Sequence, residues 1–381
     1  MNKNTVSQWS ILRNDKWLLS SLTWIPVMVA VAIWWIFSQG MARDLPVAVV
    51  DLQHSTLSRQ LIRNIDATST LQVNAYYEDV LQAKNALVAN DIYAYIIIPK
   101  HFERDIYLGM PPQVSVFYNS QFILIGKLIN SAIIQAHTTF NVQVGAAKQL
   151  AEGNTTLQSA LAKSLTIQTQ ITPLFNKNSN YTQFLVSGII PAIWQISIVA
   201  SSVLLLAANY RVYGLTVLFK EQPILSRLLS IFSVYLPFFI VQGGVFLFCF
   251  YVVFDWSISG SIFTLLVAQF LTIIACIIMG CFFFFLSLDP ARAMSMAGAF
   301  TAPSFAFMGV TFPVADMNLW AQGWRALLPV THYIEAQISQ MSYGLSCWET
   351  LGDLTPPLLG YLLPLLLVVV LIKKHLSKLS V

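Results

Sequence analysis

Six long apolar stretches limit what this chain can fold into more than any other feature of its sequence. A helix needs about 20 mainly apolar residues to cross a hydrocarbon core of about 30 Å. Runs of roughly that length occur at residues 17–37, 184–208, 228–254, 258–288, 293–310 and about 358–372. The sequence therefore predicts a membrane bundle of six transmembrane helices.

The composition agrees with a membrane protein that crosses the bilayer several times. Only 10% of the 381 residues are charged, whereas soluble chains carry roughly 25%. The net charge of +4 is too small to argue for nucleic acid as a partner. Three of the four cysteines lie inside apolar runs, so their spacing indicates neither a disulfide framework nor a zinc site. The first run is longer than a signal-peptide core and no small-x-small cleavage site follows it, so we expect a mature helix there.

Lysine and arginine near the span ends predict the orientation, because these residues collect in cytoplasmic loops. They occupy four places that fall on one side of a chain with six spans. These places hold Lys3, Arg13 and Lys16, then Arg211, Lys220 and Arg227, then Arg292, and finally Lys373, Lys374 and Lys378. Both termini are therefore predicted to be cytoplasmic and residues 41–181 to lie outside. Arg43, just beyond the first span, is an exception.

Residues 41–181 alternate strand-like and helix-like segments, which predicts a mixed α/β domain with one sheet. The expected strands are residues 46–50, 71–77, 92–98 and 113–118, and the expected helices are 57–65, 80–89 and about 102–108. Long helical patterns at 123–151 and about 155–169 then predict a stalk that returns to the membrane. The predicted fold class is a membrane all-α bundle of six transmembrane helices with an inserted periplasmic α/β domain.

Asp51, His54 and Ser55 place an acid, an imidazole and a hydroxyl within five residues, as a membrane hydrolase would require in space. No Gly-x-Ser-x-Gly nucleophile elbow accompanies them. The alternative is that Asp51 ends a strand and that Ser55 or Thr56 caps the next helix.

Polar side chains inside the apolar runs are expensive to bury and often functional. Gln195, Gln242 and Gln269 either bond neighbouring helices or contact a substrate. Asp255 lies near an outer span end. The turn from Asp289 to Arg292 either caps a helix or serves the function directly.

Two segments outside the spans have amphipathic spacing. Val6, Trp9 and Leu12 recur at helical intervals before the first span, as in a helix lying flat in the membrane interface, although Trp beside Arg and Lys is also ordinary anchoring. In the loop 209–227, Leu215 and its apolar neighbours precede Pro223 and predict a short helix. That helix either enters the groove of a partner or rests on the membrane.

The connection at residues 311–355 is too apolar for a free loop and too interrupted for a span. Short helices that dip into the outer leaflet, packed against protein, would satisfy both observations. The alternative is an amphipathic surface loop.

A phosphate-binding loop needs Gly-x-x-x-x-Gly-Lys-Ser/Thr, in which backbone amides and the lysine hold the phosphates. The dipeptide Gly126-Lys127 lacks both the upstream glycine and the hydroxyl residue. If the protein works with ATP, another chain binds it.

Four stretches of the chain together resemble the ABC-2 class of ATP-binding-cassette transporter permeases, in the bacterial branch with a large periplasmic domain between the first two spans. Residues 47–51 and 55–59 are similar to that domain's first strand and helix, and the loop after the second span sits where the family has its coupling helix. Residues 300–313, with Phe307-Met-Gly-Val-Thr-Phe-Pro313, resemble the fifth span, and Leu328-Pro-Val-Thr-His-Tyr333 resembles the element before the last span. The loop sequence Arg211-Val-Tyr-Gly-Leu-Thr216 departs from the family's usual pattern, which would suit one half of an unequal pair.

The resemblance implies a permease subunit of an exporter, without enzymatic activity of its own. It would move a hydrophobic or amphipathic substrate outward across the bacterial inner membrane, driven by ATP hydrolysis on a separate subunit. The implied partners are ATP-binding-cassette ATPase subunits that bind ATP and magnesium, a second permease copy or paralogue, and a periplasmic adaptor (membrane-fusion) protein. This chain itself is expected to bind no cofactor and no nucleic acid. The alternative is a membrane-anchored sensor whose α/β domain binds a ligand.

The same resemblance assigns roles to parts of the chain. Residues 1–16 would form a cytoplasmic elbow helix, 17–40 the first transmembrane helix, 41–181 the periplasmic domain, 182–208 the second transmembrane helix, 209–227 the coupling loop, 228–310 helices three to five, 311–355 the outer re-entrant element, 356–373 the sixth helix and 374–381 a cytoplasmic tail. The expected coupling residues are Tyr213, Gly214, Leu215, Leu218, Phe219, Asp289 and Arg292; those of the elbow are Trp9, Leu12, Arg13 and Trp17; those of the outer element are Phe312, Pro313, Pro329, His332 and Tyr333.

Overall fold

The computed structural model describes residues 7–38, 42–151, 175, 180–220 and 222–379. The chain divides into two compact units, one of residues 1–40 and 173–381 (the helical unit) and one of residues 41–172 (the α/β unit). The predicted second stalk helix at about 155–169 and the first residues of the elbow lie outside the described residues.

The described helices are numbered in chain order. They are α1 Gln8–Asn14, α2 Lys16–Leu22, α3 Trp24–Phe37, α4 Thr56–Asp66, α5 Val80–Ala89, α6 Phe102–Tyr107, α7 Ile123–Ala151, α8 Tyr181–Leu218, α9 Ile224–Phe232, α10 Leu236–Phe248, α11 Ile262–Ser287, α12 Pro290–Thr301, α13 Ser304–Phe307, α14 Leu319–Ala326, α15 Pro329–Ile338, α16 Cys347–Leu359 and α17 Leu362–Leu379. Single π-helical turns at Cys249–Val253 and Ser339–Tyr343 follow α10 and α15, and a 3-10 turn lies at Val314–Asp316.

The α/β unit contains the predicted sheet. Its strands are β1 Leu45–Asp51, β2 Leu71–Tyr76, β3 Ala94–Ile98 and β4 Ser115–Tyr118. They lie in the order β2-β1-β3-β4, with β1 parallel to β2 and β3, and β4 antiparallel to β3. From Val47 onward β1 is buried on both faces, which explains its unbroken β-branched run: a central parallel strand is covered by helices on both sides.

The turn after β1 settles the hydrolase question for this part of the chain. Ser55 is the N-cap of α4 and forms a capping box with Ser58, as the simpler interpretation predicted. Asp51 accepts hydrogen bonds from the backbone N–H groups of Gln53 and His54, both at 3.0 Å. The described contacts of Asp51 therefore hold the turn together and do not orient an imidazole toward Ser55.

The helical unit contains up to five candidate membrane spans among the described residues. Four helical stretches are long and apolar enough to cross a membrane: Thr182–Leu218, Leu236–Val253, Ile262–Ser287 and Cys347–Leu379. A fifth exists if Lys16–Leu22 and Trp24–Phe37, bent by 45° at Thr23, count as one span. The chain is thus mostly helical and membrane-embedded, whereas the total of six spans stays a prediction.

The predicted fifth run, residues 293–310, is divided into α12 and α13. Pro303 lies at the break, and it has no backbone N–H with which to continue the hydrogen-bond ladder. The Ser304 hydroxyl instead donates to the Thr301 carbonyl at 2.5 Å. The two pieces are each too short to cross a bilayer as one straight helix.

The centre of the helical unit is the contact between α8 and α11, which carry about half of its buried core. Gly280 permits a close approach there, because a Cβ added at this position would lie 2.5 Å from the Ser202 Cβ. The two helices can therefore approach this closely only because residue 280 has no side chain.

Candidate functional site

The last turn of α8 is separated from the rest of the helix at Gly214. Its φ of 68° and ψ of 166° belong to a region that only glycine adopts without strain. The segment 215–219, which follows it and which we call the coupling segment, can therefore leave the direction of α8. This is the segment in which the sequence predicted a short amphipathic helix.

The apolar face of the coupling segment is turned toward the chain's own core. Leu215, Leu218 and Phe219 are 2%, 3% and 7% exposed, and the Phe219 ring lies 6.0 Å from that of Phe285 in α11. Val217 is 52% exposed. A partner can therefore reach Val217 but not the three buried residues whose spacing predicted the helix. The coupling role of the segment stays a prediction.

The Asp289–Arg292 turn lies at the same end of the helical unit, since it begins four residues after Phe285. The Asp289 carboxylate caps α12 by accepting from the backbone N–H groups of Ala291 and Arg292 at 2.8 and 3.0 Å. This confirms the capping interpretation. Arg292 itself is exposed.

The predicted elbow, residues 1–16, includes α1 and the start of α2, and polar contacts attach it to the end of α8. The amides of Gln8 and Asn209 bond each other reciprocally at 2.8 and 3.2 Å. The Asp15 carboxylate pairs with the Arg211 guanidinium at 2.6 Å. The sequence analysis did not predict these two contacts, because a polar residue at a helix end beside an apolar span is a weak signal for such a contact.

The predicted elbow residues divide into two groups. Leu12 is buried, whereas Arg13 is exposed and Trp9 and Trp17 are 55% and 76% exposed. The Trp9 ring also lies 6.2 Å from that of Phe238 in α10. Exposed tryptophans beside a candidate span suit the edge of a membrane, where indole rings concentrate.

The buried glutamines bond neighbouring elements, as one of the two sequence interpretations predicted. Gln195, fully buried in α8, donates to the Ser304 hydroxyl at 2.9 Å and accepts from the Val330 backbone N–H at 2.8 Å. Gln242 donates to the Leu22 carbonyl at 2.8 Å, and Gln269 donates to the Gly243 carbonyl at 3.0 Å.

Two of these bonds, from Gln195 to Val330 and from Gln242 to Leu22, fill gaps in the backbone ladder. Val330 is in the first turn of α15, where helix N–H groups have no partner inside the helix. The Leu22 carbonyl would normally accept from the residue four positions on, but that residue is Pro26, which has no N–H. Burial of an unpaired amide is costly, so these glutamines fix which elements pack together.

Helices α14 and α15 form a hairpin within the predicted outer element, residues 311–355. Pro329 begins α15, and Tyr333 and His332 are buried on it, whereas Phe312 and Pro313 on the preceding loop are exposed. A ring nitrogen of His332 lies 3.0 Å from the Ala326 carbonyl. The structure thus brings three of the five predicted residues together in α15.

An ion pair that the sequence analysis did not single out joins the two helices of the hairpin. Arg325 of α14, 8% exposed, donates to Glu335 of α15 at 2.6 Å. Burial raises the pKa of Glu335, but the neighbouring His332 and Arg325 lower it more, so the pKa lies below its ordinary value. Two opposite charges ten residues apart in an otherwise apolar segment are the signal that could have revealed the pair.

Among the residues that the structure describes, no group of three or more His, Cys, Asp and Glu side chains is placed to hold a metal ion. The predicted sites are thus built from helix ends, buried amides and one ion pair. Such an arrangement positions helices and supplies surfaces for partners.

Comparison with known protein families identifies the chain. A family model described as ABC-2 family transporter protein matches residues 16–372. No curated protein and no solved structure is significantly similar to the chain. Proteins of this family are the membrane component of a transporter and generally work with an ATP-binding-cassette ATPase, so the sensor alternative is not favoured. Since the match spans nearly the whole sequence, the chain belongs to the ABC-2 family of transporter proteins.

Proposed function

We propose that the chain is the permease subunit of an exporter in the bacterial inner membrane. It moves a hydrophobic or amphipathic substrate outward, using ATP that a separate ATPase subunit binds with magnesium and hydrolyses. The observation that carries this proposal is the end of α8, where Gly214 releases a short segment whose apolar side is held by this chain and whose other side, with Val217, is exposed.

The contacts of the coupling segment supply a route for the motion. A force that the ATPase applies to the exposed side acts on Leu215, Leu218 and Phe219, which are buried in the core of the helical unit. The ring contact between Phe219 and Phe285 then transmits this force to α11. The segment and the Asp289–Arg292 turn then form two contact points for an ATPase at one end of the unit.

The elbow and the hairpin are linked to the same helix at other levels. The Gln8–Asn209 and Asp15–Arg211 contacts attach α1 and α2 to α8, and Gln195 attaches α8 to the hairpin at Val330. A displacement of α8 therefore moves the elbow and the hairpin together. In this proposal the α8 end at Gly214 faces the cytoplasm and the hairpin lies toward the outer surface.

Several further assignments belong to the same proposal. The chain has six spans, both termini are cytoplasmic, and residues 41–181 form a periplasmic domain. A second permease copy or paralogue completes the pathway, and a periplasmic adaptor contacts the outer domain. The charge distribution near the span ends supports this orientation.

The test is a charge placed on the exposed side of the coupling segment. Val217→Asp is expected to abolish co-purification of the ATPase and ATP-dependent export while leaving the protein in the membrane, because a carboxylate at this exposed position would have to be buried without a partner when the ATPase docks. Leu215→Asp or Phe219→Asp would be a poor test, since both side chains are buried and the fold itself would suffer.

Val88→Asp is the matched control. Val88 is 74% exposed on α5 in the α/β unit, so the same substitution there should leave ATPase binding and export unchanged. Full ATPase binding and export in the Val217→Asp variant would overturn the proposal.

A further inference from the structure

A cavity of about 490 Å³ opens in the α/β unit. It lies at the carboxyl ends of β1 and β2, since Asp51 ends β1 and Tyr77 directly follows β2. In sheets with parallel strands, ligands bind outside these carboxyl ends. The cavity lies at this edge of the sheet, beside β1 and β2 and next to the β1–β3 crevice where the strand order reverses.

The turn that borders the cavity is fixed by a buried carboxylate. One oxygen of Asp51 accepts from Gln53 N and His54 N, and the other accepts from the Ser58 hydroxyl at 2.6 Å. These bonds hold His54 at a φ of 58°, in the left-handed region that non-glycine residues rarely occupy. Backbone strain of this kind concentrates where a side chain must be presented in one place. Here the presented side chain is the imidazole of His54, at the cavity.

Two arginines of α4 complete the border. Arg59 donates one N–H to the His54 backbone carbonyl at 2.9 Å, which anchors its guanidinium to the turn that carries the imidazole. Arg63 lies one helical turn further on the same face. A guanidinium has five N–H donors, so most of the donors of both side chains are left for another partner.

The arginine donors around the cavity favour an anion. Like charges four residues apart on a helix repel each other, and neither Arg59 nor Arg63 forms a salt bridge within the described part of the chain. Asp51 and Glu78 also line the cavity, so the two positive and two negative charges of its lining balance. The Asp51 oxygens, however, accept hydrogen bonds from within the turn. The polar groups left for a ligand are therefore mainly donors, namely the two guanidinium groups and the imidazole.

We propose that this cavity binds a small ligand that carries a phosphate or carboxylate group. Planar arginine forks match the oxygen pairs of both groups, and His54 lies within the same border. Tyr76, 67% exposed, and Tyr77 line the cavity beside the charges and offer flat surfaces to the body of the ligand. The motif Asp51 to Ser55 thus has a use that is not hydrolysis: it positions the donors of an anion site.

The test uses the full chain in detergent, with inorganic pyrophosphate and citrate as separate probes in calorimetric titrations. At least one probe is expected to bind saturably at one site, and the stronger one tells a phosphate site from a carboxylate site. Arg63→Gln should weaken that binding about tenfold or more, the size expected for loss of a charge-assisted hydrogen bond.

Lys84→Gln is the matched control, because it removes one positive charge from an exposed position on α5 outside the cavity. It should leave the affinity unchanged. Ser58→Ala provides a second, uncharged test: it removes a bond to Asp51 and should weaken binding by loosening the turn that presents His54.

Failure of both probes to bind the unmodified chain would overturn the proposal. So would an equal loss of affinity in the Arg63→Gln and Lys84→Gln variants, since that result would show only a general attraction of anions to the unit.

Discussion

Gly214→Ala provides the sharpest test of how the coupling segment is held. The backbone at Gly214 has φ 68° and ψ 166°, and a non-glycine residue held in such a region costs about 1–3 kcal/mol. No heavy atom lies within 4 Å of an added Cβ, so the whole effect comes from the backbone and not from a steric clash.

The chain could avoid this strain only by continuing α8 as a regular helix. That change would pull Leu215, Leu218 and Phe219 out of the core, and full burial of each such side chain is worth about 1.5–3 kcal/mol. The three together, roughly 4.5–9 kcal/mol, exceed the strain. The coupling segment should therefore stay in place, and the variant should be destabilised by about 1–3 kcal/mol.

Thermal unfolding in detergent measures this effect. The Gly214→Ala variant is expected to lose a few degrees in Tm. Gly298→Ala is the control, since its added Cβ also meets nothing within 4 Å and Gly298 lies inside α12; alanine should stabilise it by about 0.5–1 kcal/mol. A Gly214→Ala variant that is as stable as Gly298→Ala would refute the reasoning.

Two further predictions concern the helical unit. Gly280→Ala should lower the Tm, because its Cβ would lie 2.5 Å from that of Ser202 and such overpacking costs about 1–3 kcal/mol. The double variant that also carries Ser202→Gly should recover much of the lost Tm. An unchanged Tm in the single variant would contradict the close approach of α8 and α11. Because the folded pKa of Glu335 is lowered, its contribution to stability is present above the ordinary glutamic acid pKa of about 4.3 and is lost as the pH falls below it toward the folded pKa. Between pH 7 and pH 3, the Tm of the unmodified chain should therefore fall further than the Tm of the Glu335→Gln variant. An equal fall of Tm in both chains would contradict the ion pair.

The strands and the long spans could be predicted because their signals are local. A span is recognised by length and apolarity, and β1 by an unbroken apolar run between turn residues. Breaks in helices were harder to predict. Proline occurs in both α8, as Pro191, and the predicted fifth span, as Pro303, yet α8 continues while the other helix ends. Hydropathy does not distinguish the two cases. At the Pro303 break the Ser304 hydroxyl bonds the Thr301 carbonyl and accepts from Gln195, a residue 109 positions away that no local pattern identifies.

At the candidate site, too, a local sequence pattern predicts a segment but not what the segment contacts. The spacing of Leu215, Leu218 and Phe219 correctly identifies residues that lie on one face. Spacing cannot say whether that face meets another protein, the membrane or the chain itself, and the structure shows that it meets the chain itself. Arg325 and Glu335 were missed for a related reason: a pair ten residues apart becomes a contact only once the α14–α15 turn is known.

The bonds of α8 limit where the helical unit can move. Gln195 is fully buried, and sliding α8 past the hairpin would leave the Val330 N–H unpaired, at a cost of about 1–3 kcal/mol. The Gln8–Asn209 pair imposes a similar restraint between α8 and the elbow. Motion that preserves these bonds must carry α8, the hairpin and the elbow as one body. Bending is then left to places where the helical ladder is already interrupted, among them Gly214 and the 45° bend at Thr23, which border this body. In the proposed exporter, an ATP-driven change should therefore include rotation about these two points, with the glutamine bonds intact in both end states.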